Sequence, residues 1–244
     1  MPALDAVACT GPWRHRHPGE KAALAFGLLC CAVALPPWPG ALVVGVAALA
    51  LLLGPAGLGV RGLLRAARGP LVFVVVGALP LLFSVGGPTL VRLDPGGAGA
   101  ALALAGRATA ALLCLLLFAA TTPLADTLPR LVRLGVPPAV VDVAGLVYRL
   151  LFLLLDRIAA VRAAQAGRLG FRDWRTTFRS VAGQAGAVFV SAFDRARRME
   201  QGLALRGEPG SLRVQLPPQR LSRRFLAGTG VLLTATITVS LVLA

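Results

Sequence analysis

The sequence predicts an all-α polytopic membrane protein, with about five transmembrane helices and a cytoplasmic helical region inserted before the last one. Three observations carry that expectation. The 244 residues are 57% hydrophobic and only 14% charged, with a mean hydropathy of +0.77, which leaves too little polar surface to clothe a soluble domain of this size. Five apolar stretches fall near the length of about 17 to 25 residues that a helix needs to cross a bilayer core. The net charge of +15 sits on residues that flank or follow those stretches, as the positive-inside bias requires, and this distribution argues against nucleic acid as a partner.

The first stretch, Lys21 to Pro37, follows Arg14 and Arg16 and has the look of a signal peptide. Pro36, Pro37 and Trp38 come next and further apolar segments follow, so a first transmembrane helix is the better reading. The Pro-Pro-Trp-Pro-Gly turn at 36–40 ends it, and the uncharged run Gly40 to Gly57 forms the second arm of a tight helical hairpin. A basic link with Arg61, Arg65 and Arg68 leads to the third span, Pro70 to Gly87. A Gly/Pro-rich loop with Arg92 and Asp94 leads to the fourth, Ala98 to Thr122, and the fifth is Phe225 to Ala244. These divide the chain into a membrane domain (1–137), a cytoplasmic or interfacial helical region (138–221) and a final span (222–244).

Orientation follows from the cations. An amino terminus in the cytoplasm of a cell-membrane protein keeps Arg14, Arg16, Lys21, Arg61, Arg65, Arg68, Arg130, Arg133 and everything to Arg224 inside. Arg107 lies within the fourth span, where a charge must snorkel, pair or line a cavity. Ala101, Ala105 and Thr109 recur every four residues there and allow close packing on a neighbour. Cys9, Cys30, Cys31 and Cys114 form no CxxC pair, and three of them sit in apolar stretches, so neither a disulfide framework nor a zinc site is expected. His15 and His17 have a metal-binding spacing without a third ligand.

Between the fourth and fifth spans, Val140 to Leu155 is apolar but carries Asp142 and Arg149, with Asp156 next. From Arg157 to Arg224 the chain is dense in arginine. Helices at or below the inner membrane surface fit this pattern. Phe189, Ala192, Phe193, Ala196, Met199 and Leu203 share one helical stripe, while Arg195, Arg198 and Arg206 share another. Glu200 breaks the apolar stripe and is expected to pair with an arginine of a neighbouring helix, and Arg149 and Asp156 are expected to serve in charge pairing too. An amphipathic helix on anionic lipid accounts for basic residues of either kind. Arginine in preference to lysine fits a bidentate protein interface, and it equally fits a G- and C-rich genome.

Two segments, Gln165-Ala-Gly-Arg-Leu-Gly170 and Gly202-Leu-Ala-Leu-Arg-Gly207, each read as a helix C-terminus with a cation for the dipole and a glycine for the left-handed cap. They also resemble the paired Ala-Arg-Gly motifs of the transmembrane component of energy-coupling factor importers, the EcfT/CbiQ family. Trp13-Arg-His-Arg-His-Pro-Gly-Glu-Lys21 looks like the start of its CbiQ branch of cobalt and nickel uptake. Thr121-Thr-Pro123, Leu134-Gly-Val-Pro137, Tyr148-Arg149 with Asp156, and Phe193-Asp-Arg-Ala-Arg197 with Glu200 follow in family-like order over most of the chain. Both copies depart from the arginine motif, as Gly167-Arg168-Leu169 and Leu205-Arg206-Gly207, which keeps the charge and alters its neighbours.

The resemblance implies a non-catalytic coupling subunit that carries no cofactor and no metal. Its helical region would dock into two ABC-type ATPase subunits, and its membrane part would grip a substrate-binding membrane subunit, CbiM-like and accompanied by a CbiN-like small subunit. Arg168, Arg206, Gly207, Gly170, Arg195 and Arg198 would contact the ATPases. Cobalt is the first expected substrate, nickel the next, a vitamin the third. The single lysine follows Glu20, so a Gly-Lys-Ser/Thr phosphate loop does not occur in the sequence. Rival readings are a membrane-embedded enzyme, which needs clustered acidic or histidine residues where these are scattered, and a secondary transporter, which needs internal repeats and broken helices. A scaffold without transport remains the third. The topology is checked with tags: one at residue 1 is expected to be protected from external protease in intact cells and one after Ala244 to be accessible, and both on one side would contradict five spans.

Overall fold

The computed structural model describes residues 3–84, 92–93, 95–205 and 221–243. It divides into two compact units, one of Pro2–Leu124 with Pro217–Ala244, and one of Ala125–Leu216. The first is the membrane unit, with helices α1 (Ala3–Thr10), α2 (Pro18–Ala34), α3 (Pro37–Leu53), α4 (Val60–Ala78), α5 (Pro95–Thr121) and α9 (Arg223–Leu243). A single 3-10 turn, Leu79–Leu82, follows α4, and Phe83–Ser84 pairs antiparallel with Arg92–Leu93 before α5. The second unit contains α6 (Leu124–Leu131), α7 (Pro138–Gly167) and α8 (Trp174–Leu205).

Local chemistry sets the helix boundaries. His17 caps α2 by accepting the Gly19 N–H on Nδ1 at 3.0 Å, with Pro18 at the first helical position. Pro36 and Pro37 end that helix. Trp38 has extended backbone angles (φ −126, ψ 127), so the regular part of α3 starts after it. Helix α4, which holds the expected third span, begins ten residues before the expected Pro70, at Val60. Arg61, Arg65 and Arg68 are therefore helical and exposed, while Leu63 and Ala67 between them are buried. Reading apolar runs alone misses this turn because its exposed face is charged. Pro70 lies inside the helix. Part of the expected third span (residues 85–87) and Asp94 lie outside the described residues, as does Ala244.

Val60–Leu82, Gly97–Thr121 and Arg223–Leu243 are long and apolar enough to cross a membrane, and Pro37–Leu53 is apolar but shorter. Their outer faces stay apolar and exposed, with Phe73 79% exposed on α4, as lipid-facing surfaces require. In the second unit Pro138–Gly167 meets the same length and composition criterion. Asp142 and Arg149 are the only charges from Pro138 to Leu155, so α7 is less polar than a surface helix needs to be.

Helix α5 is the hub of the membrane unit and packs against α2, α3 and α4, with α9 against α2 and α3. Leu28, Val44, Ala48, Leu52, Cys114 and Leu117 are almost wholly buried there. Small residues let the backbones approach: a Cβ on Gly27 would lie 2.7 Å from Leu233 Cδ1 of α9.

Buried charges close the helix ends. Lys21, 1% exposed, donates from Nζ to the Thr121 carbonyl oxygen at 2.7 Å, at the carboxyl end of α5. Arg107 of α5 donates from Nη2 to the Leu35 carbonyl oxygen at 2.9 Å, at the carboxyl end of α2. Each helix thus satisfies one orphan carbonyl of its antiparallel neighbour with a cation, which the negative dipole end favours. Both pairs of anchors, 21 with 35 and 107 with 121, are 14 residues apart, or about 21 Å of helix. The equal spacing fixes the register of α2 on α5. Glu20, equally buried, accepts the Ser222 N–H and so closes the amino end of α9. Beside it Trp13 packs edge-on against Phe225, and the Arg16 guanidinium lies 4.7 Å over the same ring. The amino-terminal segment noted for its family likeness is thus a clasp on three helix ends.

Replacing Lys21 by Met leaves the Thr121 carbonyl unpaired and is expected to cost about 1–3 kcal/mol. Arg107→Met is expected to cost less, because it also removes the Arg107 Nε, a buried donor with no partner. Thermal unfolding of the detergent-solubilised proteins checks the order, and an equal or larger loss for Arg107→Met would contradict it.

Candidate functional site

The α7–α8 turn brings together the first of the two arginine segments. Helix α7 ends at Gly167, and Arg168 is its C-cap, exposed and without a side-chain partner among the described residues. The Gly170 N–H reaches the Gln165 carbonyl at 2.9 Å and the Leu169 N–H reaches that of Ala166 at 3.1 Å, the two bonds of a Schellman ending. The left-handed residue is Leu169, at φ 57, and not the expected glycine. A left-handed leucine costs about 1–2 kcal/mol, and Leu169 is 69% exposed.

Gly170 has a different task. A Cβ there would lie 2.6 Å from Ser180 Oγ and 2.9 Å from the Gln165 carbonyl oxygen. The Ser180 hydroxyl donates to the Gly170 carbonyl at 2.8 Å, so the turn is pulled onto α8. One turn along, Gln184 Nε2 donates to the Ile158 carbonyl of α7 at 3.1 Å. The start of α8 is closed by Thr176, whose Oγ1 accepts the Asp173 N–H at 3.0 Å. Leu169, Ser180 and Gln184 escaped the sequence reading. The only signal was the four-residue spacing of Ser180 and Gln184, which puts both on one face of α8.

Of the other expected site residues, Arg206 and Gly207 lie outside the described residues. Arg195 and Arg198 line a cleft of about 330 Å³ with Arg157, Asp194, Ser191 and Leu153. Glu200, Arg149 and Asp156 are exposed, and none of the three makes an ion pair among the described residues. The expected pairing is not made there because a charge on an exposed face keeps its hydration and gains little from a partner. The apolar stripe of α8 exists but is not covered: Phe189 and Phe193 stack at 6.4 Å while 70% and 54% exposed. Arg197 lies 5.5 Å over the Phe193 ring. On α6, burial lowers the pKa of the Arg130 guanidinium, with Asp126 opposing and Arg133 reinforcing the shift. Among the described residues no group of three or more His, Cys, Asp or Glu could hold a metal ion.

Apolar helices with exposed apolar faces, and a helical hairpin with a strained, arginine-bearing turn, define a polytopic α-helical membrane protein. The CbiQ family, described as "Cobalt transport protein", matches residues 11–216, and the chain belongs to that family. It is 41% identical over 212 residues to the cobalt transport protein CbiQ of Rhodobacter capsulatus, covering 87% of this chain and 86% of that protein. To the CbiQ of Salmonella typhimurium it is 26% identical over 219 residues, covering 84% and 96%. A putative fused cobalt transport protein CbiMQ of Methanocorpusculum labreanum is 30% identical over 138 residues, covering 52% of this chain and 23% of that protein.

The two roles at the turn separate by mutation. Leu169→Gly is expected to stabilise by about 1 kcal/mol through relief of the left-handed strain. Gly170→Ala is expected to destabilise, and Ser180→Ala to rescue it only in part because the Gln165 carbonyl still crowds the new methyl. Thermal melts of the four proteins test this, and a stabilising Gly170→Ala would refute the close approach.

Proposed function

We propose that this chain is the transmembrane coupling component of an energy-coupling factor importer, most directly one for cobalt. In this reading it sits in the cell membrane with its amino terminus in the cytoplasm. It transmits ATP-driven motion from two ABC-type ATPase subunits to a CbiM-like substrate-binding membrane subunit, accompanied by a CbiN-like small subunit. The kinship with CbiQ proteins named for cobalt transport supports the substrate. The fused CbiMQ protein supports a CbiM-like partner, since fusion keeps two subunits at high effective concentration. The chain itself is a non-catalytic subunit, and hydrolysis belongs to the ATPases.

The single observation that carries the coupling role is Arg168. It stands exposed on a turn that is pinned to α8 through Gly170 and Ser180, so a push on the guanidinium is passed to two long helices. Arg206 with Gly207 is the second contact, one for each ATPase. A desolvated arginine contact at a docking surface can cost about 2 kcal/mol or more on truncation, roughly thirtyfold in affinity, against about 0.3–1 kcal/mol for an exposed helix cap. Arg168→Ala combined with Arg206→Ala is therefore expected to lose ATPase subunits from complexes captured through this chain, far more than either single change. Lys replacements should rescue partly, because they keep the charge and lose the planar fork. Normal retention by the double variant at unchanged membrane level would remove the arginines from the coupling role.

A further inference from the structure

The cleft between α7 and α8 is lined by three arginines. Arg157 comes from α7, and Arg195 and Arg198, three residues apart on one face, come from α8. The one carboxylate lining it is Asp194, so the lining carries a surplus of two positive charges. None of the four makes an ion pair with a described residue. Like charges that line one cleft repel one another, and an anion bound among them is attracted to all three.

The rest of the lining says which anion. Leu153 and Leu154 also line it, and they belong to the apolar run Leu150 to Leu155 that ends at Asp156 and Arg157. The cleft therefore sits where α7 passes from apolar to charged, on a helix long and apolar enough to cross a membrane. A planar guanidinium fork matches phosphate oxygens, and basic pockets between membrane helices hold anionic headgroups. The volume of about 330 Å³ has room for on the order of ten waters, more than a phosphodiester needs. We propose that Arg157, Arg195 and Arg198 bind the phosphodiester of an anionic membrane lipid, with Leu153 and Leu154 beside the start of its acyl chains. An acidic protein segment would match the charges but has no use for the leucines. This proposal does not rest on the coupling reading, and it gives Arg195 and Arg198 a ligand other than an ATPase.

The test is native mass spectrometry of the full chain exchanged into micelles with equal phosphatidylglycerol and phosphatidylcholine. The wild type is expected to retain phosphatidylglycerol in preference. Each single Arg→Gln change at 157, 195 or 198 should weaken retention about fivefold, the factor that corresponds to about 1 kcal/mol per basic residue at an anionic surface, and the triple variant should lose the preference. Asp194→Asn removes the opposing carboxylate and should strengthen retention, which decides the matter should the triple variant fail to fold. Retention by the triple variant equal to wild type, or no gain from Asp194→Asn, overturns the proposal. Displacement of the lipid by inorganic phosphate would make the free anion the ligand. Loss of captured ATPases from the triple variant with unchanged lipid retention would make the cleft a protein-docking surface.

Discussion

The mutual capping of α2 and α5 is the constraint on which the membrane unit depends. A helix end in a low-dielectric medium has carbonyl oxygens that water cannot reach, and each unpaired one is costly. Lys21 and Arg107 remove that cost reciprocally, one at each end of the pair, and the matched 14-residue spacing allows a single register. Since α5 is also the helix on which α3 and α4 pack, fixing it against α2 positions the others. Glu20 extends the same logic to α9. Adjacent residues of opposite charge therefore organise helices that are some two hundred residues apart in sequence.

The second unit is built on a different principle. Only Val141 of α7 and Ser180 of α8 are buried, so the α7–α8 hairpin is held less by a core than by a few directional bonds at the turn. Strain is tolerated there: Leu169 stays left-handed because the Schellman bonds and the Ser180 contact over-determine its neighbours. Phe189 and Phe193 of α8 stay exposed beside one another.

Charge is used in three ways along one chain. Buried and half-buried charges cap helices, an exposed arginine marks the turn, and arginines with two leucines line a cleft. Among the described residues only the first is resolved by pairing. The others present exposed cations to the surroundings.

The sequence by itself determined the helical class, the family and the approximate place of the helices at Val60–Leu82, Gly97–Thr121 and Arg223–Leu243, because these follow from hydropathy runs, proline and glycine punctuation and motif order; it assigned Val140 to Leu155 to a cytoplasmic or interfacial region, where Pro138–Gly167 is long and apolar enough to cross a membrane. Arg168 was legible for the same reason: a cation at a helix end has a local signature. It did not determine that α4 starts at Val60, since an amphipathic turn with arginines on its outer face looks like a link when apolar runs alone are counted. Nor could it decide the fate of Arg107, for which snorkelling and pairing were equally open. Whether an intramembrane cation finds a carbonyl depends on which helix end lies beside it, and that is set by the packing of α2 on α5. The left-handed residue was likewise a tertiary matter. Glycine is the local choice for that conformation, yet the approach of Ser180 claimed Gly170 for close contact and left the strain to Leu169.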